Sequence, residues 1–256
     1  MAGALAGQTA LITGGARGIG AACAIELARA GATKIVLCDL RPVHDAATQQ
    51  TIHAIQEASA GRAEVSYTVA DVGDRAAMEA LFAATAGVDI LINNAATSIR
   101  KPFLDLEPAD VAPVWQVIVW GTFHCSQLAA RQMVAAGRGG SIVMISSVHA
   151  ERAFPLSTSY NGAKAAVNHM ALTWAAELAP HRIRVNVIEP GWTDTPGERA
   201  FFSEEQIREE GSRLPLGRLA APEEIARAAR FLASPDASYV TGAILRVDGG
   251  IVLPKP

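Results

Sequence analysis

The stretch Thr13-Gly14-Gly15-Ala16-Arg17-Gly18-Ile19-Gly20 follows a short apolar run, Thr9-Ala10-Leu11-Ile12, and leads into a helical pattern over residues 19–30. Glycines at a turn between a strand and a helix let the backbone approach a pyrophosphate closely, and the helix N-terminus favours its negative charge. The stretch therefore predicts a strand, a phosphate-binding turn and a helix at the start of the chain.

Six further apolar runs, rich in Val and Ile, alternate with longer helical patterns along the rest of the chain. They span residues 34–39, 64–69, 88–93, 141–147, 182–188 and 243–247. Such alternation is typical of a parallel sheet whose two faces are both covered by helices. The pattern predicts a single-domain α/β fold with a doubly wound, seven-stranded parallel sheet and ligands at the carboxyl ends of the strands.

A second motif lies farther along the chain. Tyr160 and Lys164 are four residues apart in a run of good helix formers, and Ser147 precedes the tyrosine by thirteen positions. Side chains four residues apart stand on one face of a helix. An ammonium beside a phenol lowers the pKa of the phenol, so the hydroxyl becomes a usable acid or base. Ser147 could then hydrogen-bond the oxygen that is oxidised or reduced, although the Y-x-x-x-K spacing alone also arises by chance.

With both motifs present in this order, the sequence resembles the short-chain dehydrogenase/reductase family over nearly its whole length. Thr241-Gly242-Ala243 and Val247-Asp248-Gly249-Gly250 match the closing strand and turn of that family. The resemblance implies a Rossmann fold with strand order 3-2-1-4-5-6-7 and hydride transfer with a nicotinamide cofactor. It also implies that Ser147, Tyr160 and Lys164 are the catalytic residues.

The resemblance further implies a set of cofactor-binding residues. They are Gly14, Arg17, Gly18, Ile19, Gly20, Asp39, Leu40, Asp71, Val72, Asn93, Ala95, Tyr160, Lys164, Pro190, Gly191, Thr193 and Thr195. Asp71 could instead cap the following helix, a role for which Asp74 is the better candidate. Ala96 departs from the family, which usually has glycine at that position.

Asp39 ends the second predicted strand. A carboxylate there can accept hydrogen bonds from both ribose hydroxyls of NAD, and it would repel the extra phosphate of NADP. Arg17 and Arg41 argue the other way, because a guanidinium near that ribose could hold a 2′-phosphate. We expect NAD as the cofactor, with NADP as the less favoured alternative.

The helical pattern over 109–136 is apolar on more than one face, which indicates burial against the sheet and against a second surface. The resemblance implies a partner subunit there, commonly within a homotetramer, and deeper burial in a monomer is the alternative. Ile118 stands where the family usually has an asparagine that helps to hold a water near the lysine. An isoleucine side chain cannot bind water. Either backbone carbonyls and water suffice for the proton relay, or the enzyme is slower, or the asparagine position of the family falls on a neighbouring residue, and we expect the first.

The substrate side of the site is less defined. We expect substrate contacts from Ser147, His149, Tyr160 and Trp192, although His149 could equally be an ordinary surface residue. The segment of about 192–216 carries two prolines and many charges, and it is interpreted as a lid over cofactor and substrate.

The composition of the chain limits the number of domains and the kinds of partner that it can have. A chain of 256 residues with 50% hydrophobic content suits one domain, 1–256, and a net charge of −3 offers no basic field for nucleic acid. The three cysteines, Cys23, Cys38 and Cys125, lack C-x-x-C spacing, so we expect neither a disulfide framework nor a metal site. Without a signal peptide or a long apolar run, we expect a cytoplasmic protein that does not enter the membrane.

These features together predict an NAD-dependent oxidoreductase that acts on a secondary alcohol or ketone, with a sugar or polyol as the expected small-molecule substrate. An NADPH-dependent 3-oxoacyl-thioester reductase, or another carbonyl reductase, is the alternative within the enzyme class. A catalytically silent scaffold that binds the cofactor is the alternative of another class, favoured only by Ile118 and Ala96.

Overall fold

The computed structural model describes residues 3–85 and 87–253, so both predicted domain bounds, residues 1 and 256, lie outside it. Its centre is a parallel sheet of seven strands in the order β3-β2-β1-β4-β5-β6-β7, which confirms the predicted fold and strand order. The strands are β1 (Thr9–Thr13), β2 (Lys34–Asp39), β3 (Glu64–Val69), β4 (Ile90–Asn93), β5 (Gly140–Ile145), β6 (Ile183–Pro190) and β7 (Ile244–Val247).

Helices cover both faces of this sheet. They are α1 (Gly18–Arg29), α2 (Ala46–Ala58), α3 (Arg75–Ala84), α4 (Pro108–Trp115), α5 (Gly121–Ala136), α6 (Thr158–Leu178), α7 (Glu204–Ser212) and α8 (Pro222–Ala233). Residues of α1, α2 and α8 share one apolar core with the sheet, and residues of α3, α4, α5 and α6 share the other. No helix in the described part of the chain is long and apolar enough to cross a membrane.

The continuous apolar runs follow from this double covering. In β1, Ile12 packs into the core on the α1 and α8 side, and its neighbour Leu11 packs into the core on the α5 and α6 side. Both side chains are fully buried. Because successive side chains of a strand point to opposite faces, a strand buried on both faces needs apolar residues at every position. Each such side chain contributes about 1.5–3 kcal/mol by leaving water.

Several predicted boundaries are corrected. The helix predicted over 109–136 is two helices, α4 and α5, joined by a π-helical turn at Gln116–Trp120. At the end of that turn the Gly121 N–H donates to the Gln116 carbonyl, five residues back. A π turn inserts one residue without interrupting the run of apolar side chains, so the sequence pattern does not reveal it. The strand predicted over 141–147 begins at Gly140 and ends at Ile145, which leaves Ser147 beyond the sheet.

Candidate active site

A cavity of about 730 Å³ lies at the carboxyl ends of the strands. This volume is in the range of small-molecule and cofactor sites, and the location is the one expected for open parallel sheets. The cavity is lined by the following sequence-predicted residues: Gly14, Arg17, Gly18, Ile19, Asp39, Leu40, Asp71, Val72, Ala95, Ser147, His149, Tyr160, Lys164, Pro190, Gly191, Trp192, Thr193 and Thr195. Gly20 and Asn93 are the two predicted site residues that are not part of this lining.

The glycine turn connects β1 to α1. Gly14 and Gly18 have φ values of +62° and +60°, in the left-handed region that other residues rarely adopt. Gly20 is not part of the cavity lining, and a Cβ at this position would overlap the Gly14 carbonyl oxygen. Gly20 therefore allows α1 to start tight against the turn, and the first N–H groups of a helix have no partner within the helix.

The resemblance implies that Asn93 is both a structural and a cofactor-side residue, and in the structure it does not line the cavity. Its buried side chain donates to the Ser126 hydroxyl at 2.9 Å and so joins β4 to α5. The next residue, Asn94, lines the cavity instead, and its Nδ2 donates to the carbonyls of Thr13 at 3.0 Å and Gly14 at 2.9 Å. Sequence reasoning missed Asn94 as the clamp of the glycine turn. The sequence carries no signal that separates Asn94 from Asn93, because both are asparagines at the end of the same strand.

Asp39 is held at the end of β2 by two backbone donors. Its Oδ2 accepts from the Ala16 N–H at 3.0 Å, and its Oδ1 accepts from the Arg41 N–H at 3.1 Å. The Arg41 guanidinium is engaged by Asp45 at 3.2 Å, and Asp45 in turn caps α2. The carboxylate is thus oriented at the cavity wall, with lone pairs left for further donors.

Asp71 follows β3 and accepts from the Gly73 N–H at 2.8 Å. It does not cap α3, because the side chain of Asp74 accepts from the Ala76 and Ala77 N–H groups at the start of that helix. The alternative of a capping role for Asp71 is therefore wrong, and Asp74 is the cap. Asp71 remains on the cavity wall.

The side chains of Ser147, Tyr160 and Lys164 lie close together in the cavity. Ser147 follows β5 directly, and Tyr160 and Lys164 lie one turn apart on α6. The Lys164 Nζ lies 5.5 Å from the centroid of the Tyr160 ring and donates to the Ile145 carbonyl at 2.7 Å. The lysine is only 3% exposed, and the serine 8%. The two elements thus place a hydroxyl, a phenol and an amine in one pocket.

The pKa values in this cluster differ from the sequence expectation. Burial raises the pKa of Tyr160 to about 12, the nearby Ser147 hydroxyl opposes that rise, and the Glu198 carboxylate adds to it. Burial also lowers the pKa of Lys164 from 10.5 to about 7. The sequence expectation of a lowered tyrosine pKa is not met in this arrangement, because desolvation of the phenol is the largest influence on that pKa.

Ile118 lies in the π turn and is 1% exposed. Its side chain packs in the core with Val114 of α4 and Val167 of α6, away from the cavity, whereas Val117 lines the cavity. The side chain at position 118 is therefore part of the apolar packing that supports α6.

The substrate end of the cavity is bounded by aromatic rings. The His149 ring stacks on Phe154, and Trp192 meets Phe202 edge to face, with centroids 5.2 Å apart. Trp192 also donates its indole N–H to Glu198 at 2.9 Å. These rings leave a pocket that is apolar on its walls and polar at a few fixed points, the usual construction of a small-molecule site.

The segment of about 192–216 contains a 3-10 turn, Glu198–Ala200, and α7. Helix α7 is mostly exposed, and Ile207 and Gly211 are its buried residues. At its root the segment approaches the glycine turn, since a Cβ on Gly18 would lie 3.7 Å from Thr195. The segment thus touches both the cofactor end and the substrate end of the cavity.

The outer surface of α4 and the π turn carries exposed aromatic residues. Trp115 is 38% exposed and Trp120 is 51% exposed.

The three cysteines are buried and free, and burial raises the pKa of Cys23 and Cys38 to about 12. Among the described residues no group of three or more His, Cys, Asp or Glu is placed to hold a metal ion.

Comparison with known proteins finds relatives that match nearly the whole chain. The family described as enoyl-(acyl carrier protein) reductase matches residues 14–252. The 3-oxoacyl-[acyl-carrier-protein] reductase FabG of Thermotoga maritima is 36% identical over 254 residues, which cover 97% of this chain and 99% of the relative.

Two solved structures show the same architecture. A putative 2-deoxy-d-gluconate 3-dehydrogenase from Agrobacterium tumefaciens with bound NADP superposes with a TM-score of 0.88 at 33% identity and covers 98% of both chains. Carveol dehydrogenase from Mycobacterium avium in complex with NAD superposes with a TM-score of 0.90 at 26% identity and covers 98% of this chain and all of the other. Proteins of this architecture thus bind either nicotinamide cofactor.

Proposed function

The chain belongs to the short-chain dehydrogenase/reductase family of oxidoreductases, and from this premise we propose that it transfers hydride between NAD and a secondary alcohol or ketone. The observation that carries the proposal is the convergence of Ser147, Tyr160 and Lys164 in one pocket of the cavity that begins at the glycine turn. This arrangement provides a proton donor and acceptor beside a site built for a dinucleotide.

The described residues fit a nicotinamide dinucleotide. The two left-handed glycines and the N-terminus of α1 suit the pyrophosphate, and Asp39 suits the adenosine ribose. Asp71, Val72 and Ala95 line the cavity and would hold the adenine half of the cofactor, and Pro190, Gly191, Thr193 and Thr195 line it and would hold the nicotinamide half. Bound NAD would supply the hydride acceptor, or NADH the hydride donor.

Tyr160 is the group we assign to proton transfer. In the reduction direction, its hydroxyl donates a proton to the carbonyl oxygen of the substrate, and in the oxidation direction its phenolate accepts the hydroxyl proton. Ser147 donates a hydrogen bond to the same oxygen and stabilises the charge that develops on it. With a tyrosine pKa raised to about 12, the protonated form that serves reduction dominates at neutral pH.

Lys164 has a different part in this scheme. With a pKa lowered to about 7, the amine exchanges protons near neutral pH and can return a proton toward the tyrosine after each turnover. Its bond to the Ile145 carbonyl fixes the amine below the tyrosine ring. We assign it a positioning and proton-exchanging role.

The preference for NAD over NADP rests on Asp39. Two backbone N–H groups hold its carboxylate at the cavity wall, where it would repel a 2′-phosphate. Arg41, one of the two arginines that could favour NADP, is paired with Asp45. Arg17 and Arg41 both line the cavity, and the exposed Arg17 is the one that could bind the phosphate without giving up the Asp45 pair.

For the substrate we propose a sugar or polyol. Polar residues near the substrate end, including Ser98, His149 and Glu198, suit a compound with several hydroxyls. The gluconate-derived name of a solved relative supports this class. A 3-oxoacyl-thioester reductase is the second candidate, favoured by the description of the family and by the FabG relative.

We further propose that the segment 192–216 closes as a lid, because it touches both ends of the cavity.

The exposed tryptophans Trp115 and Trp120 support a subunit interface on α4 and the π turn, within a homotetramer.

The buried free thiols suit a reducing compartment, and a cytoplasmic location is proposed on that ground.

The test is a set of initial-rate measurements, followed by NADH absorbance, with NAD and NADP against sugars, polyols and simple secondary alcohols. The reverse reaction is measured with a 3-oxoacyl thioester and with ketones. Oxidation of polyols with NAD supports the proposal, whereas turnover confined to the thioester with NADPH supports the second candidate. Tight NADH binding without turnover of any compound would favour the silent scaffold.

A further inference from the structure

His149 lies directly on the reacting pocket. It belongs to the 3-10 turn Val148–Ala150 that follows Ser147, and its backbone N–H donates to the Ser147 hydroxyl at 3.2 Å. The imidazole stacks on Phe154, with centroids 4.1 Å apart, and meets the Tyr160 ring at a right angle, with centroids 5.2 Å apart. One wall of the pocket beside the proton-transferring phenol is therefore an imidazole.

A hydrogen-bond chain fixes which nitrogen of this imidazole carries the proton. The Asn161 Nδ2 donates to the Phe154 carbonyl at 3.0 Å, so the amide oxygen of Asn161 faces the other way, toward His149. That Oδ1 lies 2.6 Å from the His149 Nδ1. Because an amide oxygen only accepts, Nδ1 must be the donor. In the neutral ring the lone pair is then on Nε2.

The ring is neutral at ordinary pH. Burial lowers the pKa of His149 below its usual 6.5, the hydrogen bond to Asn161 opposes this, and the positive charges of Arg100 and Lys164 lower it further. The residue bonded to Nδ1 is an amide and carries no negative charge that would stabilise an imidazolium. Nε2 is therefore an acceptor rather than a donor over the working pH range.

This acceptor is available to a ligand. Nε2 makes no hydrogen bond to any residue in the described ranges, and it is not among the polar atoms that packing seals from solvent. His149 also lines the cavity. A ligand that leaves such an acceptor without a hydrogen bond binds less tightly. The acceptor therefore favours ligands that carry a hydrogen-bond donor at that point.

We propose that the His149 Nε2 is a fixed acceptor for a hydroxyl on the carbon next to the reacting carbon, so that the preferred substrates are vicinal diols and the corresponding α-hydroxyketones. The adjacency follows from the contact between the His149 and Tyr160 rings, since an acceptor there reaches atoms beside the reacting carbon and not the far end of a long substrate. The inference rests on the proposed function and narrows its substrate class.

The same contacts allow a purely structural role. The bond between His149 and Asn161 ties the turn that carries Ser147 to the helix that carries Tyr160. Loss of that tie would disturb the two catalytic hydroxyls and would slow every substrate alike. Loss of a substrate acceptor would slow only those substrates that have the second hydroxyl, so matched substrate pairs separate the two roles.

The experiment measures kcat/KM with the preferred cofactor for two pairs that differ by one hydroxyl: cyclohexane-1,2-diol against cyclohexanol, and butane-2,3-diol against butan-2-ol. The wild-type protein should prefer the diol of each pair by about tenfold or more, the value of one hydrogen bond. His149→Phe keeps a ring to stack on Phe154 but has no acceptor, and the diol-to-alcohol ratio should fall toward one. Phe154→Leu is the matched control, because it removes the ring that stacks on the imidazole but keeps the Nε2 acceptor and the bond between His149 and Asn161, and it should keep the ratio.

A wild-type ratio near one, or an unchanged ratio in His149→Phe, overturns the inference. An unchanged ratio that comes from an equal fall of both members of each pair assigns the residue to the tie between Ser147 and Tyr160. In both cases the proposed function stands, since alcohols are still oxidised. Failure of the wild-type protein to oxidise any diol or alcohol, although it binds NADH, would instead defeat the proposed function itself.

Discussion

Replacement of Lys164 by methionine should stabilise the fold while it impairs the site. Burial lowers the pKa of this lysine from 10.5 to about 7. At about 1.4 kcal/mol for each pH unit, the protonated amine costs the folded state about 5 kcal/mol. Methionine has a similar unbranched shape and no charge. Methionine cannot make the hydrogen bond that the Lys164 amine donates to the Ile145 carbonyl, and the loss of this bond costs about 1–3 kcal/mol.

The sign of the effect depends on pH. Between about pH 7 and 10.5 the unfolded lysine holds its proton and the folded lysine does not, so the stability of the wild-type protein rises with pH through this window. The cost of the charge is fully present below about pH 7 and vanishes above about pH 10.5. Lys164→Met should therefore be about 2–4 kcal/mol more stable than wild type near pH 6, and no more stable than wild type near pH 10.5.

Urea unfolding followed by tryptophan fluorescence, at one protein concentration and several pH values, measures this difference. Lys101→Met is the control, because Lys101 is a half-buried lysine whose charge is paired with Asp110, and its removal should give no gain in stability at low pH. A difference between Lys164→Met and wild type that does not change with pH would refute the assignment of a buried, readily deprotonated amine.

Three further outcomes are expected. Because burial raises the pKa of Tyr160 to about 12, initial rates of alcohol oxidation should rise steadily from neutral to alkaline pH while ketone reduction stays flat, and parallel profiles would contradict the acid-base assignment. Asp39→Ser removes the carboxylate that opposes a 2′-phosphate, so the ratio of kcat/KM for NAD to that for NADP should fall by about tenfold or more, and an unchanged ratio would remove Asp39 from the ribose site. Ile118→Asn should leave turnover unchanged or raise it. It should also lower the melting temperature, because it buries an amide in an apolar core. A loss of turnover of about 100-fold would show that the site is misplaced.

Much of the fold could be predicted from the sequence because its signals are local. The apolar runs correspond to strands such as β2, whose bounds of Lys34 and Asp39 agree with the prediction, and the glycine turn fixes the first βα unit. The π turn at Gln116–Trp120 could not be predicted in this way, because the apolar pattern runs through it without a break.

The sequence predicted those site residues that belong to a recognisable motif. It did not predict the properties that depend on tertiary packing, such as pKa values and side-chain orientation. Tyr160 and Lys164 face one cavity, as their spacing required, but their pKa values depend on burial that the sequence does not report. Asn94, rather than Asn93, clamps the glycine turn, and two adjacent asparagines at the end of a strand give no indication of which one faces the ligand. The tautomer of His149 likewise depends on Asn161, which lies twelve residues away.

The central assignment is that the Tyr160 hydroxyl transfers the proton while hydride moves to or from the nicotinamide. Phenylalanine at this position keeps the ring and removes only the oxygen. A fluorescence titration with NADH and an initial-rate assay on the same Tyr160→Phe preparation test this directly. NADH should still bind, and turnover should fall by at least about 100-fold; turnover near the wild-type rate would contradict the assignment.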